Sequence, residues 1–528
     1  MSLALRPALL AGREELLGNL DARLAAGDGS GPRIAVLSGL GGAGKTSVAV
    51  EYAHRHLAEV RVAWQFAAED ATVLAAGFAG LAAQLGERAL ADTRDPVASV
   101  HAVLAGSAVP WLVIFDNAAG MAAVAAFLPP AGLGRVLITS QNAAWPGQVL
   151  DVPMLGRDAA AGFLASRSGD PDRQAARVLA GELGGLPLAL EQAAAYVQAS
   201  GGTLAGYLAW FRKRRADLLG RGEPAGYPGT VATTWRLAFE NLQQAAPRAA
   251  GLLRLLAFCA PEAIPLRLLL QPRPGLAAQL APEATPVLGP LLEDELAAGD
   301  AIAALRRYSL ITPAADGTVS VHRLVQAVTA DQMPAELASQ WRQAAAALIE
   351  AAIPADTALP ETWPICAALL PHAQVALAED SDGMAQIANY LGFSGSYAAA
   401  RDLQRRVVEA RERVLGPKHP QTLDARGDLA HWTGQAGDAA AARNQFGALL
   451  SVYEQGLGRE HPYTLTARGN LARWTGTAGD AAAARDQFAA LLPVTERVSG
   501  AEHPGTLAAP ANLAYWTGQA ERGQQGVM

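Results

Sequence analysis

Three short apolar runs in the first third of the chain are each followed at once by glycine or polar positions. Arg33 to Ser38, Trp111 to Phe115 and Arg135 to Thr139 therefore read as buried strands, the first passing directly into a helix, Ser47 to Ala53. After Val152-Pro153 the strand signals stop, and residues 157–168, 173–183 and 188–198 carry helical patterns. Residues 220–230 are rich in glycine and proline and read as a linker. Helices separated by proline-rich turns follow to about residue 330. Among them Leu310-Ile311-Thr312 and Val319-Ser320-Val321 flank Asp316-Gly317 as a small hairpin.

The C-terminal third repeats itself. His419-Pro420, His461-Pro462 and His503-Pro504 recur every 42 residues, and the first two units agree at about two-thirds of positions. Pro420 and Pro462 suit the first helical position, Gly437 and Gly479 a left-handed helix end, and Asp438 and Asp480 the cap of the next helix. Trp432, Phe446, Trp474 and Phe488 are expected to fill the space between helix pairs, and a degenerate unit at 387–415 precedes them. Histidines on successive repeats stand roughly 10 Å apart, too far to share an ion, so they read as structural.

Composition narrows the picture. The 528 residues suggest three to four folding units. With 42 Lys+Arg against 49 Asp+Glu and a net charge of −7, the chain does not coat nucleic acid by bulk charge. The basic cluster Arg212-Lys213-Arg214-Arg215 reads as a solvated helix face. Cys259 and Cys366 cannot form a disulfide framework and fit buried positions in a reducing compartment. The charge-free run from Pro96 to Phe115 is broken by Gly106 and Pro110, so it reads as helix, turn and strand, not as a membrane span. A cytoplasmic location is expected.

Lysine occurs only at 45, 213 and 418. Lys45 closes the motif Gly39-Leu40-Gly41-Gly42-Ala43-Gly44-Lys45-Thr46, between a strand and a helix. Such a loop wraps phosphates with backbone N–H groups from Gly39, Gly41, Gly42, Ala43, Gly44, Lys45, Thr46 and Ser47. Lys45 would reach the β- and γ-phosphates, and Thr46 would hold Mg²⁺ together with Asp116 at the end of the second strand. Asn117, Thr139 and Gln141, at strand ends facing the same crevice, are candidates to sense the γ-phosphate or orient water.

These strand ends, with Ala11-Gly12-Arg13-Glu14, Gly185-Leu186-Pro187-Leu188 and Val321-His322-Arg323, resemble the NB-ARC family of STAND NTPases over residues 1 to about 330. The resemblance implies that Arg13 lies against the nucleotide, Pro187 packs by the adenine and His322 reaches the β-phosphate of ADP. It also implies a winged helix that closes over the nucleotide without reading DNA. The repeats resemble tetratricopeptide repeats of kinesin light chain type. The expected architecture is multidomain: an α/β P-loop NTPase domain (1–150), a helical domain (151–228), a winged-helix domain (229–330), a helical spacer (331–380) and an all-α tetratricopeptide solenoid (381–528).

Departures from the family pattern bear on rate. Asn117 stands where the family has a second acid, Gln141 where it has an arginine, and Arg323 where it has an aspartate. Arg13 and Arg135 are the arginines that could substitute for the sensor. The expectation is a switch using ADP/ATP and Mg²⁺ that is at most a slow ATPase and binds a protein or peptide in its repeat groove. A homo-oligomer is expected in the ATP state, and neither membrane nor nucleic acid as a partner. The alternative is a repeat scaffold with a structural, ADP-locked nucleotide domain. With nothing ahead of the nucleotide domain, output is expected through a partner or assembly. The final half repeat, a helix from Thr506 to about Trp516, is expected to dock on another protein.

Overall fold

The computed structural model describes residues 1–25, 31–86, 95–142, 144–146, 149–219, 239–314, 316–500 and 504–525. The expected linker at 220–230, the boundary between residues 228 and 229 and His503 lie outside them, as do the side chains of Arg214 and Arg215. The chain separates into two compact units, residues 1–355 with 364–377, and residues 356–363 with 378–528.

The first unit is built on a five-stranded parallel sheet: β1 (Arg33–Ser38), β2 (Val62–Ala67), β3 (Trp111–Asp116), β4 (Gly134–Ser140) and β5 (Val149–Asp151). The strand order is β2-β3-β4-β1-β5. The three runs read from sequence became β1, β3 and β4; β2 and β5 are additional. Both were hidden by composition, because β2 interrupts its apolar residues with Gln65 and β5 has only three residues.

Every residue of β3 is buried, and the pleat divides them. Trp111, Val113 and Phe115 face one core with Phe66 and Phe78; Leu112 and Ile114 face the other with Leu20, Leu37 and Tyr52. Helices cover both faces, so the short apolar runs are the signature of strands with no wet side. Parallel order puts all strand C-termini at one end, where β1 runs into the loop 39–44 and the helix Lys45–Arg55.

Helices Arg157–Ser168, Arg173–Glu182 and Pro187–Ser200 lie where the pattern placed them. The helix Leu204–Leu219 carries the basic cluster, and Arg212 is paired with Glu182 at 3.0 Å. Further on come helices Pro247–Leu256, Thr285–Glu293 and Glu295–Arg307, then the hairpin β6 (Thr312–Pro313) and β7 (Val319–Ser320). Cys259 and Cys366 are both buried. Among the described residues no helix is long and apolar enough to cross a membrane.

The second unit stacks helix pairs. Helices Asp382–Phe393, Tyr397–Val414, Pro420–Gln435, Ala439–Gly456, Pro462–Thr477 and Ala481–Ser499 precede a last helix, Pro504–Gln525, longer than the sequence suggested. Gly437 and Gly479 take φ of 104° and 108°, and Asp438 and Asp480 accept the amides of Ala441 and Ala483 at 2.9 Å. Among the described residues no group of His, Cys, Asp and Glu has the arrangement of a metal site.

Candidate functional site

The loop after β1 has the backbone its glycines require. Gly42 and Gly44 adopt φ of 80° and 93°, a region costly for other residues. At Gly42 a Cβ would also meet Leu186 and Leu188 at 3.3 Å. The Gly-Leu-Pro-Leu element therefore lies directly against the phosphate loop, with Pro187 opening the helix Pro187–Ser200. Lys45 is buried, and its ammonium donates to the carbonyls of Gly39 and Leu40 at 2.9 Å each. Burial lowers its pKa, against an opposing pull from Asp116.

Asp116, at the end of β3, is 1% exposed and is the hub of the strand ends. Its Oδ1 accepts from Thr46 Oγ1 at 2.9 Å and from the Thr139 hydroxyl; its Oδ2 accepts from Gln65 Nε2 at 3.4 Å. The Thr139 oxygen in turn accepts the backbone N–H of Asn117 at 2.7 Å. Thr139 is thus committed to orienting the acid. Asn117 has φ 61° and donates its side-chain amide to Glu69. Gln141 is exposed, and its amide would stand 3.9 Å from a Cβ on Gly41, beside the loop.

Two arginines named as candidate sensors have fixed partners in the structure. Arg13 is buried under the loop, donating to the carbonyls of Ala43 at 2.8 Å and Pro153 at 2.7 Å. It braces the loop from below. Arg135 is the second residue of β4, opposite Arg33 at the far end of the sheet, and pairs with Glu59 at 2.8 Å. The strand puts it about 13 Å from Thr139, so it does not serve the crevice.

The hairpin edge comes onto this crevice. His322 caps the helix Arg323–Asp331, its Nδ1 accepting the amide of Leu324 at 3.2 Å. A ring accepting at Nδ1 and neutral carries its proton on Nε2. The ring is solvent-accessible yet surrounded by protein, and this desolvation, with the Lys45 charge beside it, lowers its pKa to about 4. Arg323 pairs with Glu69, where Asn117 also ends.

Sequence reasoning missed Glu262. Desolvation, followed by the charge of Asp116, pushes its carboxyl well above the usual carboxylate range. Glu69 and Gln65 were missed as well. None lies in a motif; the prolines flanking Glu262, Pro261 and Pro265, announce a turn and nothing about what it faces.

Family models described as tetratricopeptide repeat match residues 380–455 and 464–505, and one described as a domain of unknown function, DUF7779, matches 238–337. A nucleotide-binding leucine-rich repeat (NLR)-like protein of Hyaloscypha variabilis is 26% identical over 451 residues, covering 74% of this chain and 42% of its own. The regulatory protein AfsR of Streptomyces griseus is 30% identical over 266 residues, 46% of this chain and 26% of that protein. The chain spans less than half the length of the curated relatives it matches. A solved structure of a Signal Transduction ATPase with Numerous Domains (STAND) protein with a tetratricopeptide repeat sensor, from Pyrococcus horikoshii, aligns at TM-score 0.40 and 11% identity, over 98% of this chain and 81% of that one. The chain thus joins a phosphate loop on a parallel sheet to C-terminal tetratricopeptide repeats, matched over residues 380–455 and 464–505.

Proposed function

We propose that the chain is an ADP/ATP-dependent signalling switch that binds a protein or peptide through its repeats. The observation that carries this reading is the position of His322 beside Lys45, on a different part of the chain from the phosphate loop. A nucleotide shifts a conformational equilibrium only through contacts that differ between the two states. A phosphate group between Lys45 and His322 would be such a contact.

The residues present fit a nucleotide diphosphate. The loop offers left-handed glycines and backbone N–H groups, and Lys45 is poised on carbonyls within the loop. Thr46 and Asp116 form the hydroxyl–carboxylate pair that suits a hard divalent cation. When bound, Mg²⁺ would supply charge neutralisation at the phosphate oxygens. The remaining work falls to the chain: Lys45 binds, Arg13 holds the loop, Thr139 and Gln65 orient Asp116, and neutral His322 offers an Nε2–H donor.

Lys45→Ala tests the reading. Nucleotide released on denaturing the purified wild-type protein should be mainly ADP, identified by chromatography, and the variant should carry none. Its melting temperature should fall, since saturating ligand stabilises by about 4 kcal/mol at a thousandfold excess over Kd. Full ADP content and an unchanged melting curve in the variant would defeat the proposal.

A further inference from the structure

The repeats close differently at successive junctions. Where the helix Tyr397–Val414 gives way to Pro420–Gln435, the junction is filled by Arg411, which is buried. Its guanidinium donates to the carbonyls of Asp380, Gln421 and Ser381 at 3.0, 3.0 and 3.2 Å, and to Asp382 Oδ1 at 2.7 Å. Three carbonyls and a carboxylate satisfy one buried charge, as burial of a guanidinium requires.

One repeat of 42 residues further on, Asp424 repeats Asp382, but Tyr453 stands in the place of Arg411 and Tyr463 in that of Gln421. The acid is kept and its cation is gone. Among the described residues Asp424 has no hydrogen bond or ion pair, and desolvation raises its pKa against the pull of the Arg411 charge. Leu423, Asp424, Tyr453, Leu457, His461 and Tyr463 line a cavity of ≈ 290 Å³. Four of these are the repeat equivalents of Ser381, Asp382, Arg411 and Gln421, so the cavity lies where the preceding junction holds its guanidinium. Its volume is at the small end of the roughly 300–1,000 Å³ of ligand pockets, room for a side chain. The Tyr453 and Tyr463 rings are 6.1 Å apart between centroids and inclined by 25°, and the second is exposed. Lys418, exposed at the rim, makes no ion pair with Asp424.

We propose that the junction between the helices Ala439–Gly456 and Pro462–Thr477 receives an arginine side chain of the protein or peptide that the repeats bind. Asp424 takes the guanidinium charge, and the two tyrosine rings take its flat faces. Arginine suits the place better than lysine, because an ammonium has no plane to lay on a ring. The chain supplies from its own helix in one junction the group that the next must take from a partner. The proposal rests on the peptide-binding part of the reading above and is independent of its nucleotide part.

The test titrates the full chain with a capped alanine–arginine–alanine tripeptide, followed by saturation-transfer NMR, beside tripeptides with glutamine or glutamate at the centre. The arginine peptide is expected to bind at least about tenfold more tightly than the glutamine one, the worth of a hydrogen bond to a charged group. Asp424→Asn, which keeps the shape without the charge, should erase that preference. Tyr453→Arg, which restores the residue of the preceding junction, should block the peptide by filling the cavity from within. Equal affinity for the arginine and glutamine peptides would overturn the proposal, as would an arginine preference that survives in either variant. Tighter binding of the glutamate peptide would overturn the arginine site while leaving the repeats as peptide binders. Binding of none of the three would also overturn it, and nucleotide retention, compared between wild type and Lys45→Ala, is decided separately.

Discussion

At the scale of single residues, burial rather than charge pairing sets the chemistry of His372 and is the larger influence on His322. His372 is fully buried in the helix Trp363–Ala376, and desolvation outweighs the carbonyls of Ala263 and Ala260 to hold its pKa down at about 4. Below its ordinary value of about 6.5 the unfolded chain takes up a proton that the folded chain refuses. Folding stability should therefore fall as pH drops from about 6.5 towards 4, by at most about 3 kcal/mol from this residue. His322 acts with the same sign. Denaturant unfolding of wild type and His372→Gln between pH 4 and 7 checks this: the variant should show the shallower pH slope, and parallel slopes would refute the assignment.

At the scale of the element, the repeats show how one glycine sets a stacking distance. Gly392, Gly434 and Gly476 stand 42 residues apart, and a Cβ on each would meet the ring of Trp432, Trp474 and Trp516 at 2.5, 2.4 and 2.5 Å. Each helix lays its backbone flat against the tryptophan of the next repeat. In an open helix Gly→Ala gains about 1 kcal/mol in propensity, but overpacking costs about 1–3 kcal/mol. Gly434→Ala should thus be destabilising, with hydrogen exchange rising across residues 420–477. Gly447 has only Leu471 at 4.0 Å from its virtual Cβ, and the next repeat carries Ala489 at that position. Gly447→Ala should raise the melting temperature of the same protein. Equal signs for the two substitutions would show that propensity, not packing, governs these positions.

At the scale of the whole molecule, the proposed switch raises the question of how fast it resets. Stabilising a departing γ-phosphoryl group with an arginine is worth about 10³–10⁵ in rate. Gln141 brings no charge, Arg13 is held by carbonyls, Arg135 lies at the far end of β4, and Arg323 is paired with Glu69. Steady-state ATP turnover is therefore expected well below about 1 s⁻¹, measured as phosphate release. Rapid wild-type hydrolysis would mean that one of these arginines is redeployed. His322→Ala should loosen ADP more than ATP, by about 1–3 kcal/mol of coupling if the ring contacts the phosphates in one state only. Competition titrations with both nucleotides measure it, and equal losses would leave His322 a structural cap.

What the sequence by itself determined is whatever depends on neighbours along the chain. The phosphate loop could be read because strand, glycines, Lys45, Thr46 and helix are contiguous, and the repeats because 42-residue periodicity writes each cap and turn more than once. β1, β3 and β4 were legible as unbroken apolar runs, whereas β2 and β5 depend on partners to become strands. Only the tertiary structure decided which polar groups meet at the strand ends. Thr139 and Gln65 orient Asp116 across the sheet, and Arg13 and Arg135 are assigned by carbonyls and a glutamate distant in sequence. Glu262 acts on Asp116 from 146 positions further along the chain. A parallel sheet gathers its strand ends from separate segments, so no local pattern records the company they keep.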